Sequence, residues 1–101
     1  MTSFRQDMLA ERRLVLLKLL IEDGGQSNDG TLTTAMRSMG IRQGLDQAGV
    51  RQMLRELAER DCATIDMIRD TVMVAKITER GRMAAAGDIE IGGIAAPTMG
   101  L

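Results

Sequence analysis

Between Phe4 and Glu22 the chain has no proline or glycine and is rich in strong helix formers, which predicts one long helix. Its first half alternates charged with apolar residues in the amphipathic manner. From Leu14 to Ile21 it is apolar almost all the way round, broken only by Lys18. A helix facing its own core needs an apolar stripe roughly 100° wide, and this one has more. The surplus reads in two ways. It is either a second buried face against another copy of the chain, with Leu14, Leu17 and Ile21 at the interface, or the mark of a central helix wrapped by its own domain. The homodimer is the expectation taken forward.

Gly24-Gly25-Gln26-Ser27-Asn28-Asp29-Gly30 reads as a loop. A short helix is predicted from about Leu32 to Met39, with Leu32, Ala35, Met36 and Met39 at i, i+3, i+4, i+7 spacing, and Gly40 stops it. Residues 41–45 lead to Asp46, a good N-cap. The next helix, Gln47 to Arg60, has the clearest faces in the chain. Val50, Met53, Leu54 and Leu57 form a core stripe, while Ala48, Arg51, Gln52, Arg55 and Glu59 lie opposite. Those polar residues read as an ordinary solvated face or as a contact surface. Arg and Gln beside small Ala48 and Gly49 can approach a base edge and donate paired hydrogen bonds.

Ala63-Thr64-Ile65-Asp66-Met67 alternates as a half-buried strand does, and Val72 to Ile77 is a β-branched return strand. The residues between, Ile68-Arg69-Asp70-Thr71, fit only a tight hairpin, whose turn type is open because Asn-Gly and Asp-Gly are absent. If Ile65 and Met67 point inward, so do Met73, Ala75 and Ile77; Arg69 is then at the tip and Lys76 faces out. Thr78 caps a final helix, Glu79 favours its positive end, and Gly87 ends it. The expected architecture is mainly α with a small β-hairpin: a three-helix bundle, a two-stranded wing and a C-terminal helix. It occupies residues 1–87. Residues 88–101 form a tail in which Ile89, Ile91 and Ile94 alternate with acids and glycines; it pairs as a strand, covers a partner, or frays.

Composition narrows the chemistry. The 101 residues make one domain, and no apolar run reaches the roughly 18–20 residues of a membrane span. The first residues lack the basic-then-apolar order of a signal peptide. With one cysteine, Cys62, there is no internal disulfide, which fits a reducing compartment and a cytoplasmic location. Histidine, tryptophan and tyrosine are absent, so the core is aliphatic, with nine methionines as adaptable filler. Metal and acid–base chemistry lose their commonest side chain. Cys62 sits beside Asp61, which raises a thiol pKa, and reads as packed and inert. Gly24-Gly25…Gly30 has no following Lys-Ser/Thr and is no phosphate cradle. No catalytic residue, metal site or cofactor is expected, and the chain does not read as an enzyme.

The order of elements resembles the winged-helix superfamily of helix-turn-helix proteins, particularly the ArsR-like and MarR-like bacterial regulators. The resemblance rests on Leu32…Met36…Met39-Gly40, on Asp46…Val50…Leu54…Leu57, and on Ile77-Thr78-Glu79-Arg80-Gly81 after the wing. It covers about residues 8–87. With Gly93-Ile94-Ala95-Ala96-Pro97 in its tail, the chain is also similar to the short winged-helix proteins of Mu-like phages and prophages. The connection between the second and third helices exceeds a compact DNA-binding turn. One cysteine and no histidine leave nothing onto which ArsR-type metal sensing carries over.

Two function classes follow. In the first, the protein is a small bacterial or prophage transcriptional regulator that binds double-stranded DNA as a homodimer. The third helix enters the major groove; Arg42, Gln43, Gln47, Arg51, Gln52 and Arg55 meet bases or phosphates, and Arg69 and Lys76 of the wing meet the adjacent backbone. In the second, the same fold is a protein-interaction module, such as a phage accessory factor. The net charge of −1 and pI near 5.4 favour the second class. Four arginines against Asp46 alone between Arg37 and Arg55 favour the first, which is the expectation adopted.

Overall fold

A computed structural model describes residues 3–98. The order is α1 (Phe4–Glu22), β1 (Gln26–Asn28), α2 (Asp29–Ser38), α3 (Gln47–Glu59), β2 (Ala63–Ile68), β3 (Val72–Ile77) and α4 (Glu79–Ala86). Helix periodicity and the hairpin pattern place these elements well, with two differences. Residues 26–28, expected in a loop, form a strand that pairs antiparallel with β3, so the sheet has three strands in the order β1-β3-β2. Asn28 closes β1 and also caps α2, accepting a hydrogen bond from the Thr31 amide at 2.9 Å. Helix α2 therefore starts at Asp29, three residues before the apolar spacing suggests.

Helix α1 is the central element and packs against α2, α3, α4, β1 and β3. Leu16, Leu17 and Leu20 are fully buried, each contributing roughly 1.5–3 kcal/mol of hydrophobic stabilisation. Here the expected dimer interface is corrected: Leu14 and Leu17 belong to the core of the single chain, and of the three residues only Ile21 is exposed, at 38%. The apolar surplus of α1 is covered by five neighbouring elements of its own chain. Its two buried arginines act as ties. Arg12 donates to the carbonyl of Gln43 in the α2–α3 connection at 2.6 Å; Arg13 pairs with Glu56 of α3 at 2.9 Å and donates to the Gly93 carbonyl. The tail continues the domain. Ile91 and Ile94 are buried, and the Ala95 amide bonds the Ala10 carbonyl of α1 at 3.1 Å.

In the sheet, Ala63, Ile65 and Met67 lie opposite Ile77, Ala75 and Met73, the inward pairing that the alternation predicts. Met73, Ala75 and Ile77 are buried, but Met67 is 36% exposed because the hairpin runs on past the core. Its turn is closed by the Thr71 amide donating to the Ile68 carbonyl. Arg69 and Asp70 both have positive φ, as a type I′ turn requires.

All four helices end in the same double hydrogen bond, with a left-handed residue just past the last turn. Glycine takes that position after α1, α2 and α4; after α3 it is Asp61, with φ 60°. Its carbonyl accepts from the hydroxyl of Thr78, which in turn caps α4 by accepting from the Gly81 amide. Gly81 is required for a different reason. A Cβ there would stand 2.2 Å from the Cys62 carbonyl oxygen, so only glycine lets the first turn of α4 cross that backbone.

Two stability measurements by urea unfolding check this description. Asp61→Gly relieves the left-handed conformation, partly offset by glycine's greater chain entropy, and raises stability by about 0.5 kcal/mol. Gly81→Ala forces backbone apart and costs about 2–3 kcal/mol.

Candidate nucleic-acid interface

The candidate surface is the outward side of α3 with the hairpin beside it. Asp46 fixes where α3 starts by accepting from the Gly49 amide at 2.7 Å. The stripe Val50, Met53, Leu54 and Leu57 then anchors it in the core. What faces away was read from the sequence as one set of contact residues. The structure divides them.

Gln47 and Arg51 converge on Asp29, whose side chain is only 2% exposed. The Gln47 amide nitrogen donates to Asp29 Oδ2 at 2.8 Å, and Arg51 Nε donates to the same oxygen in an ion pair. The other oxygen, Oδ1, accepts from the Met73 backbone amide at 3.3 Å, and Arg51 Nη2 reaches on to the Thr71 carbonyl. One carboxylate thus joins the first turn of α2, two successive turns of α3 and the start of β3. Among the described residues no buried side-chain nitrogen or oxygen lacks a partner. Sequence reasoning missed Asp29 altogether. The one available signal was its position just after a capping Asn28, where a carboxylate suits the positive end of a helix.

The remaining candidates are exposed: Gln52 and Arg55 on α3, Arg42 and Gln43 in the connection, Arg69 at the turn and Lys76 on β3. Arg37 on α2 is exposed as well. Lys76 does not join Arg69. It lies opposite Gln26 and Thr64 at the base of the sheet, roughly 20 Å from the tip at about 3.3 Å per residue. The hairpin end carries a feature the sequence did not announce. Met67, Ile68 and Val72 are 36%, 45% and 37% exposed, flanking Arg69 and Asp70.

Electrostatics sharpen the distinction between Asp29 and Cys62. Burial alone would push the Asp29 carboxyl up. Hydrogen bonds from Gln47, Arg51 and the Met73 amide, with the charge of Arg51, outweigh it and hold the group below the ordinary carboxylate range. Burial does push the Cys62 thiol up, against the opposing charges of Arg80 and Arg60. Cys62 is fully buried between α3 and β2, and a raised pKa disfavours its thiolate. Among the described residues no group of three or more Cys, Asp or Glu side chains is placed to hold a metal. No helix there is long and apolar enough to cross a membrane.

Removing Arg51 leaves a buried carboxylate short of its cation. Breaking a fully buried pair costs roughly 3–5 kcal/mol; Arg51 keeps 27% exposure, so Arg51→Ala costs about 2–3 kcal/mol in urea unfolding. A lowered carboxyl pKa contributes stability in full above the unfolded value of about 4 and loses it as pH falls from there through the folded value. The urea midpoint therefore falls on acidification below about pH 4, and Asp29→Asn flattens that part of the curve.

No family model matches the chain, and no solved structure matches it. Two proteins do. An uncharacterized protein of Haemophilus influenzae is 32% identical over 78 residues, covering 77% of this chain and 74% of that protein. The uncharacterized protein gp26 of Escherichia phage Mu is 30% identical over 92 residues, covering 90% of this chain and 93% of that protein. Over nearly its whole length, then, the chain belongs to the same family as phage Mu gp26.

Proposed function

We propose that this is a winged-helix protein of Mu-like phage origin that binds double-stranded DNA and acts as a small transcriptional regulator. The observation that carries the proposal is the outward side of α3. Small Ala48 stands there with Gln52 and Arg55, all exposed, and the hairpin is tied alongside through Arg51 and Thr71. A helix with so low a profile enters a major groove, where Arg and Gln donate paired bonds to base edges. Arg37 in the last turn of α2 and Arg42 in the α2–α3 connection supply phosphate contacts, and Arg69 reaches the adjacent backbone. Arg51 and Gln47 are left out of the contact set because each already donates a hydrogen bond to Asp29.

A second reading has its own observation. Met67, Ile68 and Val72 expose apolar surface at the hairpin end, where a wing lying on phosphates is served better by cations. This favours docking on another protein by that end.

Fluorescence anisotropy on a labelled random duplex at low and at about 0.2 M salt separates the two. The DNA reading expects binding that weakens steeply with salt, with Arg55→Ala lowering the salt slope by about one unit. Absence of binding at low salt overturns it and leaves the hairpin end as the functional surface.

A further inference from the structure

We propose that Asp29 is a positioning residue for the α3–hairpin surface: it fixes the hairpin against α3 through Arg51 and holds the charge of Arg51 away from any bound phosphate. The second half of this inference rests on the DNA reading; the first does not. The hairpin extends beyond the core, and its distal residues 67–72 are all exposed. Two bonds tie the start of β3 to the helices at the Asp29 network. The Met73 amide donates to Asp29 Oδ1, and Arg51 carries the link one step further to the Thr71 carbonyl. Both depend on one carboxylate, whose other oxygen orients the guanidinium by accepting from Nε while Nη2 reaches the hairpin.

Geometry makes the role specific to arginine. A guanidinium presents donors in a rigid fork, so one side chain bridges an acceptor on α2 and another on the hairpin. A lysine ammonium keeps the charge but places its donors on a single atom, without the fork. The same pairing explains why Arg51, although central on the outward side of α3, is not a phosphate ligand. Its charge is neutralised at close range by a carboxylate that is itself almost fully buried.

The test uses the full chain and two variants, Asp29→Asn and Arg51→Lys. Residual dipolar couplings of backbone amides report relative orientation, which a uniform loss of stability does not alter. In the parent, hairpin and α3 couplings fit one alignment tensor. In both variants the couplings of α1, α3 and α4 still fit together while those of residues 67–73 depart from them. Hairpin couplings that stay on the common tensor in both variants overturn the positioning role, even if the unfolding midpoint drops. On a 20-base-pair random duplex, Asp29→Asn raises the salt slope by about one unit as Arg51 is freed, and Arg51→Lys leaves it unchanged. An unchanged slope in Asp29→Asn overturns the masking of Arg51. A parent without duplex affinity ends the DNA reading and the masking with it, while the couplings still decide the positioning role.

Discussion

A carboxylate taken out of water must be given a cation and enough donors, or it is driven to its neutral form. Asp29 meets that requirement with groups from three separate parts of the chain: two side chains of α3, an amide of β3, and its own place at the amino end of α2. Those parts are therefore linked through one buried charge, in addition to the apolar packing of α3 and the pairing of β3 with β1. Directional bonds of this kind set orientation in a way that an aliphatic core, rich in interchangeable leucine and methionine contacts, does not.

Other arginines, two of them buried, hold irregular segments of the chain. Arg12 and Arg13 of α1 and Arg60 at the end of α3 donate to carbonyls of the α2–α3 connection and of the tail. Irregular segments of a small domain are thus fixed by long side chains as well as by the buried Leu45, Ile91 and Ile94. The consequence for function is a division among cations. Arginines 12, 13, 51 and 60 serve the structure, while Arg37, Arg42, Arg55 and Arg69 are exposed. In a chain of net charge −1, that exposed group is what the proposed contact with a polyanion rests on.

What was legible in the sequence was whatever short-range periodicity dictates. Val50, Met53, Leu54 and Leu57 mark α3, the alternation around Ile65 and Ala75 marks the hairpin, and Thr78 with Gly87 brackets α4. What was illegible depends on partners distant in sequence. Gln26-Ser27-Asn28 has no apolar alternation and is a strand only because β3 runs beside it. The bonds of Arg51 and Gln47 to Asp29 are invisible on a helical wheel, which shows one helix and none of its neighbours. Leu14 and Leu17 looked surplus because the wheel does not show how many elements surround α1. The tail's isoleucines were visible, but not the carbonyls of Gly92 and Gly93, which Arg60 and Arg13 hold.

The central claim is that one buried, ionised carboxylate joins α2, α3 and the hairpin. Titration of the Asp29 side-chain carboxyl by carbon-13 NMR, followed together with the Met73 amide proton, tests it most directly. The account predicts a midpoint below the ordinary carboxylate value of about 4, with the Met73 amide shifting at the same midpoint. A midpoint at or above that value, or a Met73 amide indifferent to the transition, would contradict it.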